Sequence, residues 1–299
     1  MEKYRRFADP GTGINPFIPA HLYLPNSEPV LLKNLRFIIY TPLAVVRIVM
    51  LSLVLILIAA ADILYMIPLI SSFLVRPFLR PVFCWITALC CGVVCGFSSH
   101  VEDFRRLKMR RPVGDGKDES DVIVSDFHGF VDILVHAVVT RPSAFVFKTK
   151  EGNFMVCHGV IHALSVSLGH VASSNSTSYP RNSLMFICPI PTNGLGVLKC
   201  DPFPTSNVSL TVINYISKGT FGVHHIVSSW QSHLFNMMTR NWYMVAQIRV
   251  TPGCVHEDIH LAVLAKLYHP NSCVVTEIDG WTVYPEFKQY WSETQKNYM

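Results

Sequence analysis

Residues 122–139 read VIVSDFHGFVDILVHAVV. VIVSDF (122–127) is a short apolar run rich in β-branched residues, which predicts a strand. From Val131 to Val139 the apolar residues recur at helical spacing, which predicts a helix on the next stretch of chain. The alternation continues downstream. SAFVFK (143–148), SLMFICPI (183–190) and WYMVAQIRV (242–250) read as strands. NFMVCHGVIHALSVSLG (153–169), GVHHIVSSWQSHLFNMM (222–238) and DIHLAVLAKLY (258–268) read as helices, the first closing on glycine. Strands alternating with helices predict an α/β domain over 121–299, with flanking helices on a mostly parallel sheet. Ligands of such sheets sit beyond the carboxyl ends of the strands, so the loops at 125–131 and 187–196 are the places to search for chemistry.

Upstream of that domain the composition changes. Half of the 299 residues are hydrophobic and 15% are charged, against about 25% charged in ordinary soluble domains. The deficit lies between Phe37 and Phe97. FIIYTPLAVVRIVMLSLVLILIAAADILYMIPLISSFLV (37–75) has Arg47 and Asp62 as its charges. About 20 apolar residues cross a bilayer, so this stretch suits one long helix or a hairpin turning near Asp62, with Pro42 and Pro68 as candidate breaks. A second run, Val82–Phe97, is about one helix long. Arg76 and Arg80 lie between the runs, and two ordinary spans would leave them in a lumenal turn, against the charge rule. A hairpin within 37–75, or shallow re-entrant segments, would return them to the cytosolic face. Hairpin-like insertion is therefore expected, with membrane-inserted apolar helices over 37–98, after a polar segment (1–36) and before a basic linker (99–120). Such a hairpin also suits a lipid-droplet monolayer, which has no second aqueous face.

The net charge of +5 concentrates beside the apolar runs: Arg5, Arg6, Lys33, Arg36, Arg76 and Arg80, then Arg105, Arg106, Lys108, Arg110 and Arg111. A basic collar suits anionic headgroups, and a cytosolic flank obeying the positive-inside tendency predicts the same residues. Nine cysteines show neither a secreted disulfide framework nor zinc-ligand pairing. Asn175 and Asn207 head glycosylation sequons that matter only in a lumenal domain. The first 36 residues lack the pattern of a cleavable signal peptide. A channel or transporter is disfavoured because the apolar sequence is too short for a multi-span bundle. No nucleic-acid partner is expected.

Two loops carry candidate chemistry. In Ser125-Asp126-Phe127-His128-Gly129-Phe130-Val131-Asp132 a histidine precedes an aspartate at a strand-to-helix turn. A carboxylate there fixes the imidazole tautomer while the other ring nitrogen takes a proton from a hydroxyl. The plainer arrangement is Asp126 capping the helix and His128 on the surface. The second loop, FICPIPTNGLGVLKC (186–200), holds the turn pair Asn193-Gly194.

An apolar anchor, a strand-loop-helix with His and Asp, a strand bearing lysine, and a strand ending in Thr-Asn-Gly occur here in that order. This order resembles the glycerolipid acyltransferases, which move a fatty acyl group from acyl-CoA to a lysophospholipid. Phe186, Thr192, Asn193 and Gly194 match that family's third motif. FVFKTKEGNFMVCHGVIHALSVSLGHV resembles its intervening motif, and IRVTP (248–252) its last. MEKYRRFADPGTGINPFIP resembles the opening of the fungal lysophosphatidic acid:oleoyl-CoA acyltransferase branch. The spacing departs in one place: three residues separate His128 from Asp132, one fewer than in the family, so Phe127 stands where the family has its histidine. Cys188, Pro189 and Ile190 replace the family's Glu-Gly-Thr.

The resemblance implies a glycerolipid-acyltransferase-like fold and transfer of an acyl group, oleoyl by the fungal likeness, to the sn-2 hydroxyl of lysophosphatidic acid. His128 would act as base and Asp132 as its orienting partner. Lys148, Lys150, Arg110 and Arg111 would hold phosphate, with Thr192, Asn193 and Gly194 at the acceptor. Acyl-CoA is a co-substrate; no bound cofactor or metal is implied. Phosphatidic acid would feed phospholipid and triacylglycerol synthesis on the endoplasmic reticulum membrane and lipid droplets, with the domain facing the cytosol. The altered first and third motifs favour an alternative, a relative that keeps the fold as a lipid-binding or scaffolding factor, but the resemblance along the whole chain outweighs them.

Overall fold

A computed structural model of the protein describes residues 2–18, 30–96, 99–100, 122–169, 175–176, 178–199, 208–217, 222–224, 229–240, 243–254 and 273–296. Strand β3 (Val122–Ser125) is central in a nine-stranded sheet. On one side of it come β9 (Val208–Ser217), β10 (Met244–Cys254) and β1 (Val93–Cys95), with β2 (Ser99–His100) also on β10. On the other come β7 (Ser183–Phe186), β4 (Phe145–Lys148), β5 (Phe154–Cys157) and β6 (Asn175–Ser176). β3 is parallel to both neighbours, and β4 to β7, while the β9–β10, β4–β5 and β5–β6 pairings are antiparallel. A mixed α/β fold with a mostly parallel sheet is thus observed. A separate two-stranded sheet pairs β8 (Gly196–Lys199) with β11 (Val274–Asp279).

The pleat divides β3 between two cores. Ile123 faces one layer with Phe145, Phe147, Leu184 and Phe186, while Val122 and Val124 face the other with Val146 and Met185. The first layer is covered by helices. They are α1 (Val30–Leu64), α2 (Pro68–Cys90), α3 (Phe130–Val139), α4 (Val160–Ser167) and α5 (Trp230–Arg240). The last helix, α6 (Gly280–Lys296), packs instead with residues 4–18, where Tyr4, Phe7 and Phe17 meet Phe287.

Helices α1 and α2 form a hairpin turning at 65–67, three residues beyond Asp62, but its second arm does not end at 75: it runs on to Cys90 and so contains Arg76 and Arg80. Pro68 opens the second arm, a position where its missing N–H costs nothing. Pro42 lies within α1 without ending it. Pro77 also removes a donor, and Ser71–Leu79 adopts the wider π-helical pattern around it, with Arg80 N–H bonded to the Val75 carbonyl. The hairpin lies along the domain: Val54 and Ile58 of α1 and Cys84 and Ala88 of α2 enter the main core. Its opposite face is apolar and open, with Ile63, Met66 (77% exposed), Leu69 and Phe73 (75% exposed) around the turn.

Several readings of the sequence are corrected. The second apolar run is helical only to Cys90, and Val93–Cys95 then joins the sheet against Met244–Ala246. Arg80 is not in a headgroup collar. It is 1% exposed, with its guanidinium donating to the His158 carbonyl (2.8 Å), 3.4 Å from Asp62 and over the Tyr65 ring. Asp62 in turn accepts the Ile161 N–H at the start of α4. The stretch 153–169 is a strand and a helix parted at 158–159, because Phe154–Cys157 finds a backbone partner in β4. Of the expected helix 222–238, residues 230–238 are helical, 222–224 are not, and 225–228 lie outside the described residues; the loop expected between 190 and 222 holds β8 and β9. The strand at 242–250 spans Met244–Cys254, bulging beyond Thr251. The expected helix 258–268 and the basic run 105–111 lie outside the described residues.

Candidate functional site

The chain leaves β3 at Ser125, crosses 126–129, and enters α3 at Phe130. Phe127 points into the core between Phe147 and Phe186, so it does not take the histidine's place. His128 turns the other way. Asp132, in the first turn of α3, accepts the His128 backbone N–H at Oδ2 (2.6 Å), which satisfies a donor that the helix start leaves without a partner. The same oxygen lies 3.4 Å from His128 Nδ1. Helix capping and the dyad thus use one carboxylate, and Asp126 is not the cap. Three intervening residues suffice because Asp132 reaches back to its own N-terminal turn.

Two residues complete the surroundings of His128. Tyr215, on β9 four residues past the partner of Ser125, donates its hydroxyl to Asp132 Oδ1 at 2.5 Å. The His224 ring stands edge-on to His128 at 5.1 Å between centroids. Neither was singled out from the sequence. Their signal was weak, since Tyr215 sits in a stretch read as loop and His224 in one read as helix. Asp126 Oδ2 lies 3.4 Å from His128 Nε2.

These neighbours fix charge states. Burial lowers the pKa of His128, but Asp126 and Asp132 outweigh it and push it up to about 9. Burial works against the charge on Asp132, yet His128 and the Tyr215 hydroxyl hold it below the usual carboxylate range. Burial keeps two nearby imidazoles neutral: His224 is pushed down to about 3, helped by His128, and His136 to about 4. His136 Nε2 is 3.1 Å from Ser125 Oγ.

The second loop arrives at the same place. Thr192 N–H bonds to the Phe127 carbonyl, and Gly194 has a φ of +73°. A Cβ at Gly194 would lie 3.4 Å from Nε2 of both His128 and His224, so only glycine leaves the space between the imidazoles clear. Thr192 is buried with an unpartnered hydroxyl. Asn193 does something else: its amide donates to the carbonyls of Asn15 and Ile18, and its backbone N–H to that of Pro16. It clasps the chain at 15–18. Lys148 and Lys150 lie at the same sheet edge, but two strands from β3, about 10 Å at ordinary strand spacing. Arg110 and Arg111 lie outside the described residues.

The site is closed to water, with His128 and Asp132 each 1% exposed. A cavity of about 10 Å³, lined by Asp126, Cys188 and Thr192 among others, has room for one water beside it. A larger apolar cavity of about 100 Å³ lies between the hairpin and the domain. Leu51, Leu55, Thr87, Cys91, Phe130, Leu134, Leu164, Leu168, Trp230 and Leu234 line it. Phe130 is two residues from His128, so one helix start serves both the imidazole and the apolar wall. Among the described residues no cluster of His, Cys, Asp or Glu suits a metal ion. No known protein family, curated protein or solved structure matches the chain.

Proposed function

We infer that the protein is an acyl-CoA-dependent acyltransferase working at a membrane surface, passing a fatty acyl group, oleoyl by resemblance, to the sn-2 hydroxyl of lysophosphatidic acid. The observation that supports this best is the setting of His128. Its ring lies beyond the central parallel strand, with Nδ1 toward a buried carboxylate and Nε2 toward Gly194. That is the arrangement of a general base whose partner orients it. His128 would take the hydroxyl proton, Asp132 would orient the ring, and Lys148, Lys150 or the basic run at 105–111 would hold phosphate. The apolar cavity beside Phe130 has the chemistry to take part of an acyl chain.

The hairpin supports the location. Within its arms, Ile38–Leu64 and Pro68–Cys90 are long and apolar enough to cross a bilayer. Crossing upright would drag α3, α4 and α5, which pack along it, into hydrocarbon. Lying in one leaflet buries the open face alone. Among the described side chains, the charges within the arms turn inward: Arg47 donates to the Met238 carbonyl, Arg76 to that of Arg141, and Arg80 meets Asp62. One-leaflet insertion suits both the cytosolic face of the endoplasmic reticulum and a lipid droplet. The test is oleoyl transfer from labelled oleoyl-CoA by purified protein. Wild type should form phosphatidic acid and His128→Ala should not; undiminished product from the variant rules out His128 as base.

The closed site favours a second reading, an acyltransferase fold kept for lipid binding or scaffolding. That reading predicts lysophosphatidic acid binding without turnover in the wild type.

A further inference from the structure

We propose that Asp126 is a second carboxylate gripping Nε2 of His128, holding the resting histidine as an imidazolium and occupying the nitrogen that must accept the hydroxyl proton. The inference rests on the acyl-transfer reading and adds a group that the His–Asp pair does not require.

The geometry is two-sided. Asp132 Oδ2 lies 3.4 Å from Nδ1 and Asp126 Oδ2 lies 3.4 Å from Nε2, so the two carboxylates take opposite nitrogens of one ring. The imidazole is 2% exposed and Asp126 12%, which shields both contacts from screening by solvent. Among the described residues, three other titratable groups near the ring add no competing charge. Tyr215, from β9, donates its hydroxyl to Asp132. His224, from the loop before α5, and His136, one turn further along α3, are held neutral by burial. One histidine therefore serves two carboxylates, and their combined pull exceeds the cost of burying the cation.

Acyl transfer needs the opposite protonation state. The acceptor's O–H proton passes to Nε2, its oxygen attacks the thioester carbon, and the C–S bond breaks. The CoA thiolate then takes that proton back from Nε2. The atoms balance without another reactant, but only if Nε2 begins unprotonated. Asp126 thus sets the pH at which the site becomes competent, and the acceptor hydroxyl must displace its carboxylate.

The experiment follows the His128 ring carbon by NMR in ¹³C-histidine-labelled protein in detergent, its signal identified by loss in His128→Gln. Wild type is compared with Asp126→Asn and Asp126→Ser, and the pH dependence of oleoyl transfer is measured on the same samples. In both variants the His128 midpoint should fall by about one unit or more, and transfer at neutral pH should rise several-fold. Midpoints unchanged in both folded variants overturn the proposal. A lowered midpoint in protein that shows no turnover at any pH keeps Asp126's grip on the ring and overturns the acyl-transfer reading instead.

Discussion

Asp132 receives the His128 backbone N–H and the Tyr215 hydroxyl in a site closed to water, so each of its oxygens is committed. Tyr215→Phe leaves Oδ1 buried without that donor and should cost about 1–3 kcal/mol in unfolding free energy. It should also lower kcat more than KM, because the tyrosine acts through Asp132. A loss confined to KM would contradict that role. The buried histidines give a pH dependence with a definite sign. His128, raised to about 9, adds stability that is complete below about pH 6.5 and is lost as pH rises through 9. His136 and His224, lowered to about 4 and 3, add stability that is complete above about pH 6.5 and fades as pH falls toward those values. Thermal unfolding should therefore peak near pH 6.5, and His128→Gln should flatten the alkaline limb alone. An unchanged alkaline limb would show that the ion pairs do not form. Gly194→Ala imposes a left-handed backbone on alanine, costing about 1–2 kcal/mol, and sets a methyl 3.4 Å from both imidazoles. Transfer should fall at least tenfold while the fold persists, as circular dichroism would verify.

At the scale of elements, Arg80 and Asp62 latch the hairpin turn to the start of α4. Removing one partner of a buried pair costs about 3–5 kcal/mol, whereas replacing both by apolar groups costs far less. Arg80→Met should thus be more damaging than Arg80→Met with Asp62→Leu, read from unfolding midpoints; equal losses would mean the pair is not coupled. The strand-to-helix step at 122–139 was legible from the chain, because a β-branched apolar run gives way there to apolar residues at helical spacing. So was the hairpin, since no other element absorbs so long an apolar run. What long-range pairing decides was not. Phe154–Cys157 has the composition of its helical neighbour and becomes a strand because β4 offers it an edge. Val208–Ser217 pairs with β3 and β10 across large sequence separations, and so the site's tyrosine escaped notice. Arg80 looked like a headgroup residue because its partners, Asp62 and the His158 carbonyl, lie 18 and 78 residues away. Asn193 matched an acceptor motif, yet its amide is spent on Asn15 and Ile18, 178 and 175 residues distant.

For the whole molecule, the hairpin's inner face packs into the domain core and its outer face is apolar and open. On the proposed reading that outer face meets hydrocarbon, and anchoring and catalysis would be parts of one arrangement. A fluorophore at Phe73 should be quenched by lipid-borne quenchers at shallow depth, within one leaflet. Quenching near the bilayer midplane, with α2 protected from protease on the far side, would indicate an upright span. The domain would then meet lysophospholipid and acyl-CoA where both partition. The decisive measurement is oleoyl transfer from oleoyl-CoA to lysophosphatidic acid in vesicles, comparing wild type with Leu69→Asp/Phe73→Asp, which places charge on the open face far from His128. The wild type should bind vesicles and form phosphatidic acid, while the variant stays in solution and forms at least tenfold less. Vesicle-bound wild type that forms no product at any pH, or a soluble variant equally active, would contradict the account.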